Sequence, residues 1–145
     1  MRPLVFGTEV ALRVSGQYTT EPLIDNEQFA IGGVDSVRGY LEAEDLGDIG
    51  FDASVELRSP HLKSLFGVHS REAYVYTFYD IGMVSLIDPL PTQTSRDDLQ
   101  GYGAGFRISG LAGFDAGFDW AHPLIKTPYE SADRSRIHFH FRYGF

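Results

Sequence analysis

The sequence predicts an all-β chain, an antiparallel transmembrane β-barrel segment with six strands. Three observations predict it. Six stretches alternate apolar and polar residues with period two, so each has one apolar and one polar face. Their length suits the roughly 9–11 residues of a tilted bilayer crossing, against about 5–6 in a typical soluble sheet. Long and short connections alternate, as the outer loops and periplasmic turns of membrane barrels do.

The first strand is expected over residues 4–19, with Val10, Leu12, Val14 and Tyr18 opposite Ala11, Arg13, Ser15 and Gln17. The second, over 50–58, sets Phe51, Ala53, Val55 and Leu57 against Asp52, Ser54, Glu56 and Arg58. The third, over 72–80, has Ala73, Val75, Thr77 and Tyr79 opposite Tyr74, Tyr76, Phe78 and Asp80, a pattern that leaves its inward face open. The fourth, over 100–109, places Tyr102, Ala104, Phe106 and Ile108 against Gly101, Gly103, Gly105 and Arg107. The fifth alternates Phe114, Ala116, Phe118 and Trp120 with Asp115, Gly117 and Asp119. The sixth, over 136–145, alternates Ile137, Phe139, Phe141, Tyr143 and Phe145 with Arg136, His138, His140, Arg142 and Gly144. Long loops are expected over 21–49, 81–99 and 121–135, an intermediate link over 59–71 and a short turn near Gly110.

Composition narrows the function classes. The net charge of −8 argues against a nucleic-acid partner, which calls for a basic patch. No cysteine is present, so neither a disulfide framework nor a thiolate metal site can form. No run approaches the roughly 20 apolar residues of a membrane helix. The first residues carry too short an apolar run for a signal peptide. There is no nucleophile elbow, His-Glu-x-x-His or Walker motif, so no enzyme, catalytic residue or cofactor is expected. His138 and His140 share a strand face but lack a third ligand at recognisable spacing, so no metal is expected. Glu42 and Glu44 flank a loop and read as solvated.

The segment Ile31–Tyr40 suits neither strand nor helix. Gly32, Gly33 and Gly39 permit backbone angles with positive φ and close approach to a wall. Arg38 offers a planar fork suited to a carboxylate, and Asp80 is a suitable acid. On spacing alone the segment reads first as a glycine-rich surface hairpin with a solvated arginine. Gly101, Gly103 and Gly105 on one strand face read as room for a neighbouring loop.

Residues 27–60 resemble the loop-and-strand signature of two-partner secretion transporters (TpsB proteins), the haemolysin secretion/activation family. These share a superfamily with the BAM insertase barrel. The family's Val-Arg-Gly-aromatic tetrad matches Val37, Arg38, Gly39 and Tyr40, and its aromatic-x-aromatic-x-Asp-x-Gly motif matches Tyr76, Phe78, Asp80 and Gly82. The likeness continues through residues 101–107 to the aromatic C-terminus.

The resemblance implies that the loop folds into the barrel lumen, that Arg38 meets Asp80, and that Tyr76 and Phe78 form an aromatic platform beside it. In a wet lumen that pair would be only partly desolvated and contribute on the order of 1 kcal/mol. Phe141, Tyr143 and Phe145 resemble the signal that the BAM machinery reads on the last strand. Six strands cannot close a single-chain barrel, because open edges in lipid leave unpaired backbone groups. Residues 1–145 are therefore expected to be the last six strands of a larger barrel, without its POTRA domains, plug helix and signal peptide. The implied location is the outer membrane of a Gram-negative type cell, and the implied partners are a secreted exoprotein, outer-membrane lipid and the BAM machinery. The implied function is export of an unfolded exoprotein from periplasm to cell surface. An assembly factor of the same superfamily is the alternative; a soluble all-β binding module is the alternative from another class.

Overall fold

A computed structural model describes residues 2–3, 7–62, 72–111, 113–128 and 134–144. A two-residue strand, β1 (Arg2–Pro3), pairs with β2 (Glu9–Gln17). Two short strands, β3 (Phe29–Ile31) and β4 (Asp45–Gly47), form their own antiparallel pair. The main sheet continues with β5 (Ile49–Arg58), β6 (Glu72–Ser85), β7 (Arg96–Leu111), β8 (Phe114–Pro123) and β9 (Arg136–Tyr143). Its order is β1-β2-β5-β6-β7-β8-β9 and every pairing is antiparallel, an up-and-down meander with β1 and β9 at its edges.

All six long strands lie where the alternation puts them, with shifted ends. β6 runs on to Ser85 and β7 begins at Arg96, so nearly half of the expected loop over 81–99 is paired sheet. Gly82 hid the extension of β6 and the Asp97-Asp98 pair that of β7, since glycine and aspartate are weak strand formers. Likewise β8 reaches Pro123, shortening the next connection. The residues expected at the start of the first strand include 4–6, which lie outside the described residues.

The two faces of the sheet differ sharply. Leu12, Val14, Val55, Val75, Phe106, Phe118, Trp120, Phe139 and Phe141 stand on the exposed outer face. Aromatic neighbours cover it in contact: Phe106 and Phe118 stack with centroids 6.4 Å apart, and Phe114 meets Tyr143 at 4.5 Å. On the inner face, Tyr76, Phe78, Asp80, Val84, Leu99 and Asp119 are buried.

Phe78, Asp80, Val84 and Leu99 are covered by the connection between β2 and β5, which folds back over the inner face. The β3–β4 pair lies against β5 and β6. Ile31, Val37 and Tyr40 from this connection join Val84 and Leu99 from the wall in one apolar cluster, with Phe29 at its margin. Burying Ile31 and Val37 contributes roughly 1.5–3 kcal/mol each. The core thus lies between barrel wall and loop.

Two acids set the loop's response to pH. Burial would push the Asp48 carboxyl up, but it accepts hydrogen bonds from the Ile87 N–H at 2.7 Å, the Leu23 N–H at 2.8 Å and Gln28 at 3.2 Å, which hold it below its usual value. Burial, then the neighbouring Asp97 and Glu44, push Asp45 up from 3.8 to about 6. Folded Asp45 therefore holds a proton through a window in which the unfolded residue has lost it, and stability falls as pH rises from about 4 to about 6. The Asp48 contribution is lost only below 3.8, outside that window. Amide protection factors in β3 and β4 are expected to be higher at pH 5 than at pH 7. Asp45→Asn should reduce that difference; an unchanged difference would assign it to another group.

Candidate functional site: the loop tetrad docked on the lumen wall

The tetrad's four residues each meet a specific feature of the wall. Gly32, Gly33 and Gly39 all have positive φ, at 101°, 99° and 104°, and a tight turn closes between Gly33 and Val37 with a 3.1 Å hydrogen bond. This turn projects Arg38 onto β6. Its Nε donates to Asp80 Oδ2 at 2.7 Å and its Nη2 to Asp80 Oδ1 at 2.8 Å, a bidentate pair. Nη2 also donates to Ser54 Oγ at 2.9 Å, and Nη1 to Glu56 Oε1 at 3.0 Å. The Ser54 hydroxyl in turn donates to Asp80 Oδ1 at 2.6 Å, and the Arg38 backbone N–H to Asp80 Oδ2 at 3.1 Å. The guanidinium carbon lies 3.4 Å from the Phe78 ring centroid, in face-on contact.

This pair departs from the expected half-solvated contact. Arg38 is 4% exposed and Asp80 0%. A buried pair with every partner in place is stable, but removing one member costs about 3–5 kcal/mol because the other charge stays stranded. Loss of one partner therefore costs several times what a wet lumen implied. The loop itself supplies the cover that excludes water.

The remaining motif residues make space or clamp. A Cβ on Gly82 would stand 2.7 Å from Val37 Cγ2, so only glycine admits the Val37 side chain there. A Cβ on Gly101 would overlap the Arg38 carbonyl oxygen, and one on Gly103 would crowd the Phe78 ring. Gly101 is therefore the loop's imprint on β7, as the sequence suggested, whereas Gly103 and Gly105 make room for the wall rings Phe78 and Tyr76. Tyr40 is buried, and its hydroxyl donates to the Gln100 carbonyl at 2.7 Å and accepts the Ile125 N–H at 3.0 Å. It ties the loop to β7 and to the connection after β8.

The aromatic platform is divided. Phe78 carries Arg38, whereas Tyr76 carries Arg107, whose guanidinium carbon lies 5.0 Å from its centroid. Tyr76 donates its hydroxyl to Asp119, which also accepts from Arg107 at 2.8 Å. Sequence reading left out Ser54 and Glu56 as partners of Arg38. The register could have found them, because Ser54 faces Asp80 and Glu56 faces Phe78 across β5 and β6. Glu42 and Glu44 are not simply solvated. Glu42 accepts the Val34 N–H at 2.9 Å, and Glu44 accepts the Leu41 N–H at 2.8 Å and the Thr127 hydroxyl. Both brace the loop from behind.

Of the expected assembly signal, Phe141 and Tyr143 point outward from β9, 65% and 53% exposed. Phe145 lies outside the described residues. Among the described residues no cluster of three metal-ligating side chains occurs.

The family model of the haemolysin secretion/activation proteins ShlB/FhaC/HecB matches residues 7–108. This chain belongs to that family. A search of curated proteins finds no match. The matched span runs from just before β2 into β7 and holds both the tetrad and the Tyr76–Gly82 motif. ShlB/FhaC/HecB proteins are outer-membrane proteins of two-partner secretion, which sets aside the soluble binding module that alternation alone allowed. The exposed aromatic face and the polar inner face are those of a barrel wall in such a protein.

Proposed function

We propose that this chain forms the C-terminal part of an outer-membrane barrel that exports an unfolded partner exoprotein from periplasm to cell surface, without nucleotide or cofactor. The observation that carries this reading is the docked tetrad: Arg38, buried on Asp80 and Phe78, fixes a loop inside the lumen of a family whose proteins secrete others. In this reading further strands pair with the edges left at β1 and β9. POTRA domains receive the exoprotein on the periplasmic side, and lipid covers the outer aromatic face.

The test is the secreted proteome of cells with and without the gene. Loss of one exoprotein from surface and medium, with the outer membrane otherwise intact, is expected. Depletion of many outer-membrane proteins instead would favour the assembly-factor alternative.

We further assign Phe141, Tyr143 and Phe145 as the strand signal that the BAM machinery reads during insertion. Deleting Phe145 is expected to lower the amount of heat-modifiable, membrane-inserted protein while total synthesis is unchanged. Unaltered insertion would remove the assignment.

A further inference from the structure

The inner face of β6 carries three rings in a row, each capped by an arginine. Tyr74 and Tyr76 have centroids 5.9 Å apart, and Tyr76 and Phe78 6.2 Å apart. Arg58 lies over Tyr74 at 5.3 Å, Arg107 over Tyr76 and Arg38 over Phe78. The Arg38 rung is sealed beneath the loop. The other two arginines remain open, with side chains 23% and 26% exposed. Two cavities border them, of about 350 and 520 Å³, and both include Arg107 and the exposed loop tip Val34–Asp35. The first also reaches Arg13 and Arg58, the second His138 and His140.

The three ring-capping cations on this wall are already balanced. Arg58 donates to Glu56 at 2.8 and 3.1 Å, Arg107 to Asp119 at 2.8 Å, and Arg38 to Asp80 and Glu56. A partner of fixed charge, such as a nucleic acid, finds no net field here. An extended polypeptide fits differently. Its side chains repeat on one face every two residues, about 6.6 Å, close to the ring spacing. The half-buried Tyr74 ring offers stacking, guanidinium edges donate to passing carbonyls, and the Asp35 carboxylate accepts from passing N–H groups.

We propose that the Tyr74–Arg58 and Tyr76–Arg107 rungs, facing Val34–Asp35, are the contact track for the extended substrate chain, and that their charge balance lets segments of either sign pass. This rests on the transport reading above. The test uses the protein expressed from its own locus, with export of its exoprotein stalled by a stably folded domain fused to the exoprotein's C-terminus. A photoreactive p-benzoylphenylalanine placed at Tyr74 or His140 is expected to cross-link the exoprotein, and one at outward-facing Val75 is not. In unstalled export, Arg107→Gln leaves the track net negative. It should slow an exoprotein carrying an inserted acidic stretch severalfold, and spare one carrying a basic stretch. Equal effects on both, or adducts from Tyr74 only to a segment of the protein itself, would overturn the track. Normal export with no adduct at Tyr74 removes the track and leaves the transporter standing. No export by the unaltered protein removes both.

Discussion

Arg38→Ala is expected to abolish exoprotein export while the barrel still reaches the outer membrane. The substitution strands Asp80, which is fully buried, with only Ser54 and the Arg38 backbone N–H left as donors. The cost of about 3–5 kcal/mol is comparable to the roughly 3–6 kcal/mol that burial of Ile31 and Val37 contributes. Docked and released loops then have similar free energies, and the lumen fills with alternative loop positions. The strand ladder, the outer face and β9 are untouched, so insertion continues. Arg38→Lys should not rescue, because an ammonium cannot bind both Asp80 oxygens, Ser54 and Glu56 while lying flat on Phe78. Nor should the exchange of Arg38→Asp with Asp80→Arg, which places a new carboxylate beside Glu56. Export and surface protease sensitivity of residues 31–40, measured together, check the result. Full export from Arg38→Ala with a protected loop would show that docking does not depend on the pair.

The second large effect needs no change of charge. Gly101→Leu introduces a side chain where the Arg38 carbonyl oxygen already lies, and that oxygen belongs to backbone held by Gly39 and Tyr40. Neither can retreat without breaking the Tyr40 clamp. The expected outcome is the export defect of Arg38→Ala with every charged residue retained. Gly105→Ala is a contrasting site, since its Cβ would press on Tyr76 and Asp119 rather than on the loop. Its defect should be accompanied by loss of the Tyr76–Asp119 contact and leave residues 31–40 protected. If Gly101→Leu exports normally, the loop does not have to sit on this wall during transport.

Much of the fold was legible because the outer and inner sides of the sheet make opposite demands at every second residue. Phe114, Phe118 and Trp120 against Asp115 and Asp119 leave one orientation for β8. β6 was the exception. Tyr74, Tyr76 and Phe78 look as apolar as Val75, Thr77 and Tyr79, since an aromatic row built to carry arginines has no polar signature of its own. Its inward side was readable only through the Asp80 motif. The β3–β4 pair was not legible either, because three-residue strands are too short to show a period.

By itself the sequence determined the six long strands, which face of five of them points outward and, through its resemblance to the family, the class of the protein and the two motifs that meet. The strands and their faces follow from local alternation; the class and the meeting of the motifs follow from the family resemblance, since spacing alone read the Arg38 segment as a solvated surface hairpin. Only the tertiary structure decided that the Arg38–Asp80 pair is dry, that Glu56 and Ser54 complete it, and that β6 and β7 extend far enough to carry the loop. Burial is a property of what lies on top. Asp80 is covered by Arg38, on a loop that Ile31, Val37 and Tyr40 hold against the wall, residues some forty or more positions away along the chain, and no local pattern records that they arrive there.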